Sequence, residues 1–362
     1  MRRPAARPPV RVESCVKALP KPGRAWQYPP MVPRLPRLGG RRAVRAGAAA
    51  ALTLALFLWW LVSLHGTSAP TGRLSFATGV PTGVYAKYGD LLKEDLGHDM
   101  PDLEVRLRGS QGSLDNLQQL TSGKADFTLA TADSVATYQD RKQPGAEGLR
   151  ACARLYDDYI QLVVEKESAV RSARDLKGLR VGVGTDDSGV QLITRRLVKA
   201  AGLDFDRDIT PVRVGIDRMP GLLENGELDA FFWSGGLPTN AVSALGRRLS
   251  IRLVQLGDLV GPLHALGPET RFYRAAVMPV DAYPELRASQ SVKTIAVANL
   301  LMTMDSADPE LAESVTRSVM NSRDRIGQKV HAAQKVDLRT AIFTDPLNLH
   351  KGARRYYLSV KP

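Results

Sequence analysis

From Arg73 onward, short runs rich in Val, Ile, Leu and Phe alternate with segments whose apolar positions recur at helical spacing. The runs predict strands at Leu74–Thr78, Leu103–Arg108, Asp126–Thr131, Tyr159–Glu165, Arg180–Gly184, Asp229–Ser234, Ile251–Leu256 and Ile295–Met302. Between them, Val84, Tyr88, Leu91 and Leu92 share one face of an expected helix over Val84–Leu96. A helix over Leu114–Ser122 follows Ser113 as its N-cap, and one over Val190–Ala201 follows Ser188 and is closed by Gly202. A longer helix is expected over Pro309–Val330, opened by Pro309 and carrying Leu311, Val315 and Val319 on one stripe. Strands alternating with helices predict an α/β architecture of parallel sheets with helices on their faces. No period of roughly 20 to 50 residues recurs, which sets aside a solenoid or a propeller.

The pattern changes completely ahead of this body. Ala46–Leu64 runs 19 residues without a charge, and a helix rising about 1.5 Å per residue would then just cross a hydrocarbon core of about 30 Å. Trp59 and Trp60 stand near its far end and Arg41, Arg42 and Arg45 before its near end, so the positive-inside rule places the N-terminus in the cytoplasm and the body outside. One transmembrane helix acting as an uncleaved signal anchor is the expectation. A cleaved signal peptide is the rival, since Thr67-Ser68-Ala69 resembles a small-residue cleavage site, but Pro70 would follow the cut and the apolar run is long for a signal peptide. No Cys follows the run to carry a lipid anchor. Residues 1–45 hold nine prolines and almost no apolar periodicity, which predicts a disordered tail, and Met31 offers a second possible start with its own basic flank.

Charge matters because of where it lies. The whole chain carries 50 Lys+Arg against 37 Asp+Glu; residues 1–45 take 12 of the bases and one acid, leaving 38 against 36, or +2, for the rest. A body so close to neutral lacks the basic footprint that neutralises phosphates, which argues against nucleic acid as partner. The 2 cysteines, Cys15 in the tail and Cys152 in the body, allow the body no internal disulfide, and Cys152 reads as a small buried apolar residue.

Candidate chemistry gathers at three strand-to-helix turns. They hold Thr78, Gly79, Thr82 and Gly83; Gly109, Ser110, Gly112 and Ser113; and Gly184, Thr185, Asp186, Asp187, Ser188 and Gly189. Glycine and hydroxyl residues there leave backbone N–H groups open at a positive helix end, where carboxylates or phosphates bind, and the ends of parallel strands are where open α/β sheets bind ligands. Each turn is equally readable as an ordinary capped connection. Gly182-Val183-Gly184 fails as a dinucleotide fingerprint because Asp187 stands where the last glycine belongs, and no GxxxxGK[ST], GxSxG or HExxH occurs. His65, His98, His264, His331 and His350 have no metal-ligand spacing. Asp157-Asp158 and Asp186-Asp187 are adjacent carboxylates, but strand neighbours point to opposite faces, so no catalytic pair is implied and neither a cofactor nor an enzyme is expected.

The segments ATGVPTGVYAKYGDLL, RGSQGSLDNLQQLTSGKADFTLATAD, LRACARLYDDYIQLVVEKES, ARDLKGLRVGVGTDDSGVQLITRRLVKAAGL, NGELDAFFWSGGLPT and LNLHKGARRYY follow one another across Thr71–Pro362. In these the chain resembles the TAXI family of substrate-binding proteins, the extracytoplasmic solute receptors of one class of TRAP transporter. The resemblance implies a class II periplasmic-binding-protein fold, with two α/β lobes joined by a strand hinge: lobe 1 from 71–158 plus 292–362, lobe 2 from 159–291. It implies binding of a small carboxylate or amino acid, glutamate-like, for uptake through a TRAP-type permease, with a membrane sensor kinase as the alternative partner and an exported enzyme using Asp157 or Asp186 as the rival outside transport. The family's ligand-contacting turns map onto Thr78, Gly79, Thr82, Gly83, Tyr85, Ser110, Ser113, Asp133, Thr185, Ser188 and the segment holding Trp233, Gly235 and Pro238. One departure stands out: the family's glycine-rich second-lobe turn reads Asp186-Asp187-Ser188-Gly189-Val190, whose acids would compete with a ligand carboxylate, while Arg108 either offers a compensating cation or, as a strand residue, faces solvent.

Overall fold

The computed structural model describes residues 40–64, 70–330 and 336–360. Expectations for the tail up to residue 39, with Cys15 and Met31, for the Thr67-Ser68-Ala69 site, and for His65 and His331 lie outside these residues. The chain divides into a unit ending at Thr67 and a second spanning Ser68–Pro362.

In the first unit, α1 (Gly40–Leu64) starts ahead of the apolar run, so Arg41, Arg42 and Arg45 lie in the helix rather than in a disordered tail. Among the described residues no helix is long and apolar enough to cross a membrane. In α1 the described side chains of the uncharged run extend from Gly47 to Trp59, about 20 Å at the helical rise against a core of about 30 Å. The transmembrane span expected from the sequence is therefore not supported by these residues.

The second unit begins with β1 (Gly72–Ala77), α2 (Val84–Asp99), β2 (Leu103–Arg108), α3 (Ser113–Thr121), β3 (Phe127–Thr131) and α4 (Ala132–Asp140). The long β4 (Leu149–Glu165) leads into β5 (Arg180–Gly182), α5 (Gly189–Ala200), β6 (Thr210–Val212), α6 (Met219–Glu224), β7 (Ala230–Gly235), α7 (Asn240–Gly246), β8 (Ile251–Leu253), α8 (Val260–His264) and β9 (Arg274–Met278). The long β10 (Val292–Met304), α9 (Pro309–Lys329) and α10 (Lys351–Ser359) complete it.

All strands join one sheet in the order β2-β1-β3-β10-β4-β7-β5-β6, with β8 beside β4 and β9 beside β10. The expected parallel pairing holds in two triplets, β2-β1-β3 and β7-β5-β6. It fails at the centre, where β10 runs antiparallel to β3, β4 and β9, and β4 antiparallel to β7 and β8. The cause is length: β4 has 17 residues and β10 has 13, so each passes out of one triplet and into the other. The first part of β4 escapes an apolar-run reading because Arg150, Arg154 and Asp157 interrupt it, yet they fall on its less buried positions.

Hydrophobic packing changes over along these two strands. Cys152, Leu155, Tyr156 and Leu301 pack with Leu74, Phe76, Leu92 and Val315, whereas Ile160, Leu162, Ile295 and Val297 pack with Val181, Leu197 and Phe232. Each triplet thus has its own core, and the changeover falls between Tyr156 and Ile160 on β4 and between Val297 and Leu301 on β10. Cys152 is buried and unbridged, and burial pushes its thiol up to about 12, as a packing residue requires.

Candidate functional site

The turn after β1 leads into α2 through Gly83, whose N–H donates to Val80 O at 2.9 Å. A Cβ at Gly79 would meet Tyr85 Cβ at 3.4 Å, an ordinary contact. The turn after β2 reaches α3 through Gly112, whose φ of 126° lies in the region that favours glycine. Ser113, expected as an N-cap, is instead the first helical residue: Ser110 Oγ accepts the Gly112 N–H at 3.0 Å and Asp115 accepts the Gln111 N–H at 2.9 Å. Ser113 Oγ is thereby free for the interior, where it accepts the Thr131 N–H at 3.3 Å. Ser188 caps α5 as expected, accepting the Gln191 N–H at 3.1 Å. Gly184 just before it has φ of 89°, and a Cβ there would lie 2.8 Å from Ser188 Oγ.

These turns meet. A Cβ on Gly112 would sit 3.5 Å from Ser188 Cβ, and one on Gly189 would sit 3.0 Å from Ser113 Oγ. The Asp115 N–H donates to Asp187 O at 3.2 Å and Thr185 Oγ1 donates to Gln111 O at 3.3 Å, so the two triplets already touch through their turns. The starts of α3 and α5 therefore face one another, and the first N–H groups of each helix lack acceptors within their own helix. Between them is a cavity with about 610 Å³ of empty volume, open to solvent.

The floor of this cavity is a polar chain carried by the two long strands. Asp158 of β4 accepts Asn299 Nδ2 at 2.7 Å and Ser234 Oγ at 3.2 Å, and Asn299 of β10 accepts the Tyr85 hydroxyl. Tyr85 Oη lies 3.3 Å from Ser113 Oγ. Burial pushes the Asp158 carboxyl up to about 7, against the opposing hydrogen bonds from Asn299 and Ser234. Burial likewise holds the Tyr85 hydroxyl well above the usual phenol range, with Asp158 adding to it. Trp233 forms a wall: its ring is part of the core with Val163, Ile216 and Phe231, its indole N–H donates to Thr239 Oγ1 at 3.1 Å, and its remaining face lines the cavity. It is both a core and a cleft residue.

Of the residues singled out in the sequence, Gly79, Gly83, Tyr85, Ser113, Thr185, Ser188, Trp233 and Gly235 line the cavity. Five do not. Thr78 is buried behind the turn, its hydroxyl donating to Arg108 O at 3.1 Å, and Ser110 is spent on Thr78 O and the Gly112 N–H. Thr82 and Pro238, the latter after a cis peptide bond, line a neighbouring cavity that shares only Gly83 and Val84 with the first. Asp133 points away into a buried cluster, where Tyr273 Oη donates to it at 2.6 Å and Arg196 approaches at 3.4 Å. Arg108 is exposed and supplies no cation to the cavity, and Asp186 and Asp187 are also exposed, Asp186 being taken by Gln191 Nε2 at 2.8 Å. Asp157 lies outside the cavity between Arg274 at 2.6 Å and Arg154 at 2.8 Å.

Asp158, Asn299, Gly215 and Ile216 were missed, while Ser234 falls inside the expected Trp233–Pro238 segment. The alternation that set Asp157-Asp158 aside as a pair contained the signal for Asp158, because one of two strand neighbours must face inward. Among the described residues no group of three or more His, Cys, Asp and Glu side chains could hold a metal ion. His264 Nε2–H donates to Tyr273 O at 2.7 Å, and His350 caps α10.

Two parallel triplets joined by two long crossing strands, with a cavity where the turns meet, define the class: a periplasmic-binding-type α/β fold. A solved structure described as a periplasmic transporter superposes with a TM-score of 0.50 at 11% identity, covering 80% of this chain and 93% of that one. The aliphatic sulphonate binding protein SsuA of Escherichia coli gives 0.41 at 14% identity over 81% of this chain and 84% of its own. A TRAP periplasmic solute-binding protein from a Bordetella species gives 0.43 at 11% over 80% and 92%. Residues 76–358 match the NMT1-like family, and the chain belongs to that family.

Proposed function

We propose that this protein is a solute receptor that binds a small polar molecule between two lobes and hands it to a membrane transporter. The observation that carries this reading is the cavity itself, walled by turns from both triplets and floored by Asp158 of β4, which Asn299 of β10 holds from behind. In this reading the two lobes join through β4 and β10, whose packing changes over near residues 158 and 298. Contacts from both lobes form only when the cleft is shut, so a solute that makes them stabilises the closed state.

The family resemblance in the sequence supports a TAXI-type receptor serving a TRAP-type permease in preference to a sensor. The tether and the extracytoplasmic side rest on the uncharged run Ala46–Leu64 with arginines before it, and on the exposure of Leu52, Leu54, Leu56, Phe57, Leu58 and Trp59. Calorimetry of the full chain in detergent against amino acids and dicarboxylates, with the solute assayed afterwards, tests the reading. Saturable binding with the solute recovered unchanged is expected; consumption of the solute would favour an enzyme on this fold.

A further inference from the structure

Resting on that reading, we propose that the cleft takes a net-neutral α-amino acid whose ammonium group pairs with Asp158, and discriminates against dicarboxylates and acidic amino acids. Among the described residues lining the cavity, Asp158 is the one carboxyl, and no Lys, Arg or His lines it. The carboxyl is 5% exposed and fixed from two elements, by Asn299 of β10 and Ser234 of β7, so it cannot swing out to solvent to make room for an anion. The nearest cations that line any cavity beside it, Lys87 and Lys329, belong to the neighbouring one. A solute carboxylate is thus received by neutral donors alone, at the facing starts of α3 and α5 and at Ser113, while a group placed against the floor meets an acid. A zwitterion satisfies both ends. A second carboxylate would have to be desolvated with no cation to offset it, which is the costly case for a buried charge.

The glutamate-like solute implied by the family resemblance is therefore the wrong charge class for this chain. Titration calorimetry of the full chain in detergent at neutral pH, with L-alanine, L-serine and L-glutamine against L-glutamate, succinate and propionate, is the test. A neutral amino acid is expected to bind at least about tenfold tighter than glutamate or succinate, and propionate, which keeps the carboxylate and lacks the amine, to bind more weakly by a similar factor. Asp158→Asn is expected to lower affinity for the best neutral amino acid roughly 10- to 100-fold, the range of a charge-assisted hydrogen bond. Succinate or glutamate binding as tightly as any neutral amino acid, or an unchanged affinity in Asp158→Asn, would overturn the inference and leave the receptor reading standing. Neither heat nor a change in tryptophan fluorescence with any member of the panel would overturn both.

Discussion

At the scale of single residues, the site turns on a carboxyl that folding makes harder to ionise. Asp158 faces Asn299 from β10, Ser234 from β7 and, through Asn299, Tyr85 from α2, while Asp157 and Asp133 add like charge from β4 and α4. Its ordinary value is 3.8 and burial lifts it to about 7 in the fold. The folded state therefore holds a proton that the unfolded state has lost, and stability falls as pH rises from about 4 to about 7, by an amount on the order of 2–4 kcal/mol. Asp158→Asn should remove that slope, which melting curves of both proteins across this pH range would reveal; parallel pH profiles would mean the carboxyl titrates normally. Trp233 carries a smaller prediction. Trp233→Phe loses the bond to Thr239 and should cost about 0.5–1.5 kcal/mol of stability while abolishing any solute-linked fluorescence change from this ring. A signal unchanged in Trp233→Phe would show that the cleft is reported from elsewhere.

At the scale of elements, the meeting of α3 and α5 sets how far the cleft can shut. Gly189→Ala places a Cβ 3.0 Å from Ser113 Oγ, tight enough to hold the helix starts apart. If closure brings these helix starts together as proposed, the substitution should weaken solute binding about tenfold with little change in melting temperature; an equal loss of stability would show that this contact belongs to the folded core. Beside it lies an ion pair between the halves. Arg196 of α5 reaches Asp133 at 3.4 Å, and donates to Thr137 Oγ1 of α4 at 2.9 Å and to Tyr273 Oη at 2.8 Å. Removing the cation alone with Arg196→Met leaves the buried Asp133 carboxylate without its counter-charge, with the Tyr273 hydroxyl still donating to it, and should cost about 3–5 kcal/mol, measurable by urea unfolding. A loss under 1 kcal/mol would show that water replaces the partner.

The elements also show what a sequence reader can see. The alternating strand β2, the apolar run of β3, and helices with marked starts, such as α5 after Ser188 and α9 opened by Pro309, were legible almost to the residue. The antiparallel centre was not, because pairing direction leaves no trace in alternation and because Arg150 and Arg154 broke up the apolar run of β4. Short elements such as β6, with three residues, lie below any periodicity. In the site, the glycine and serine turns were visible as turn chemistry. Asp133 misled because its buried partners, Arg196 and Tyr273, come from 63 and 140 residues away. Asp158 was hidden by its own neighbour.

At the scale of the whole molecule, the proposed function is a hinge motion of two lobes about β4 and β10. Deleting residues 46–64 should release the body from the membrane fraction of cells without altering solute affinity; retention of the deleted protein in that fraction would remove the tether. The central claim is that a solute shuts the cleft. Single-molecule energy transfer between dyes at exposed Lys124 and Arg218, each replaced by Cys in a Cys15→Ser, Cys152→Ala background, reads the separation of the two lobes directly. Without solute the account predicts a broad or two-peaked distance distribution, and with saturating neutral amino acid a single narrower peak at the shorter distance. A distribution that stays unchanged while calorimetry on the same labelled protein shows the site filled would contradict it.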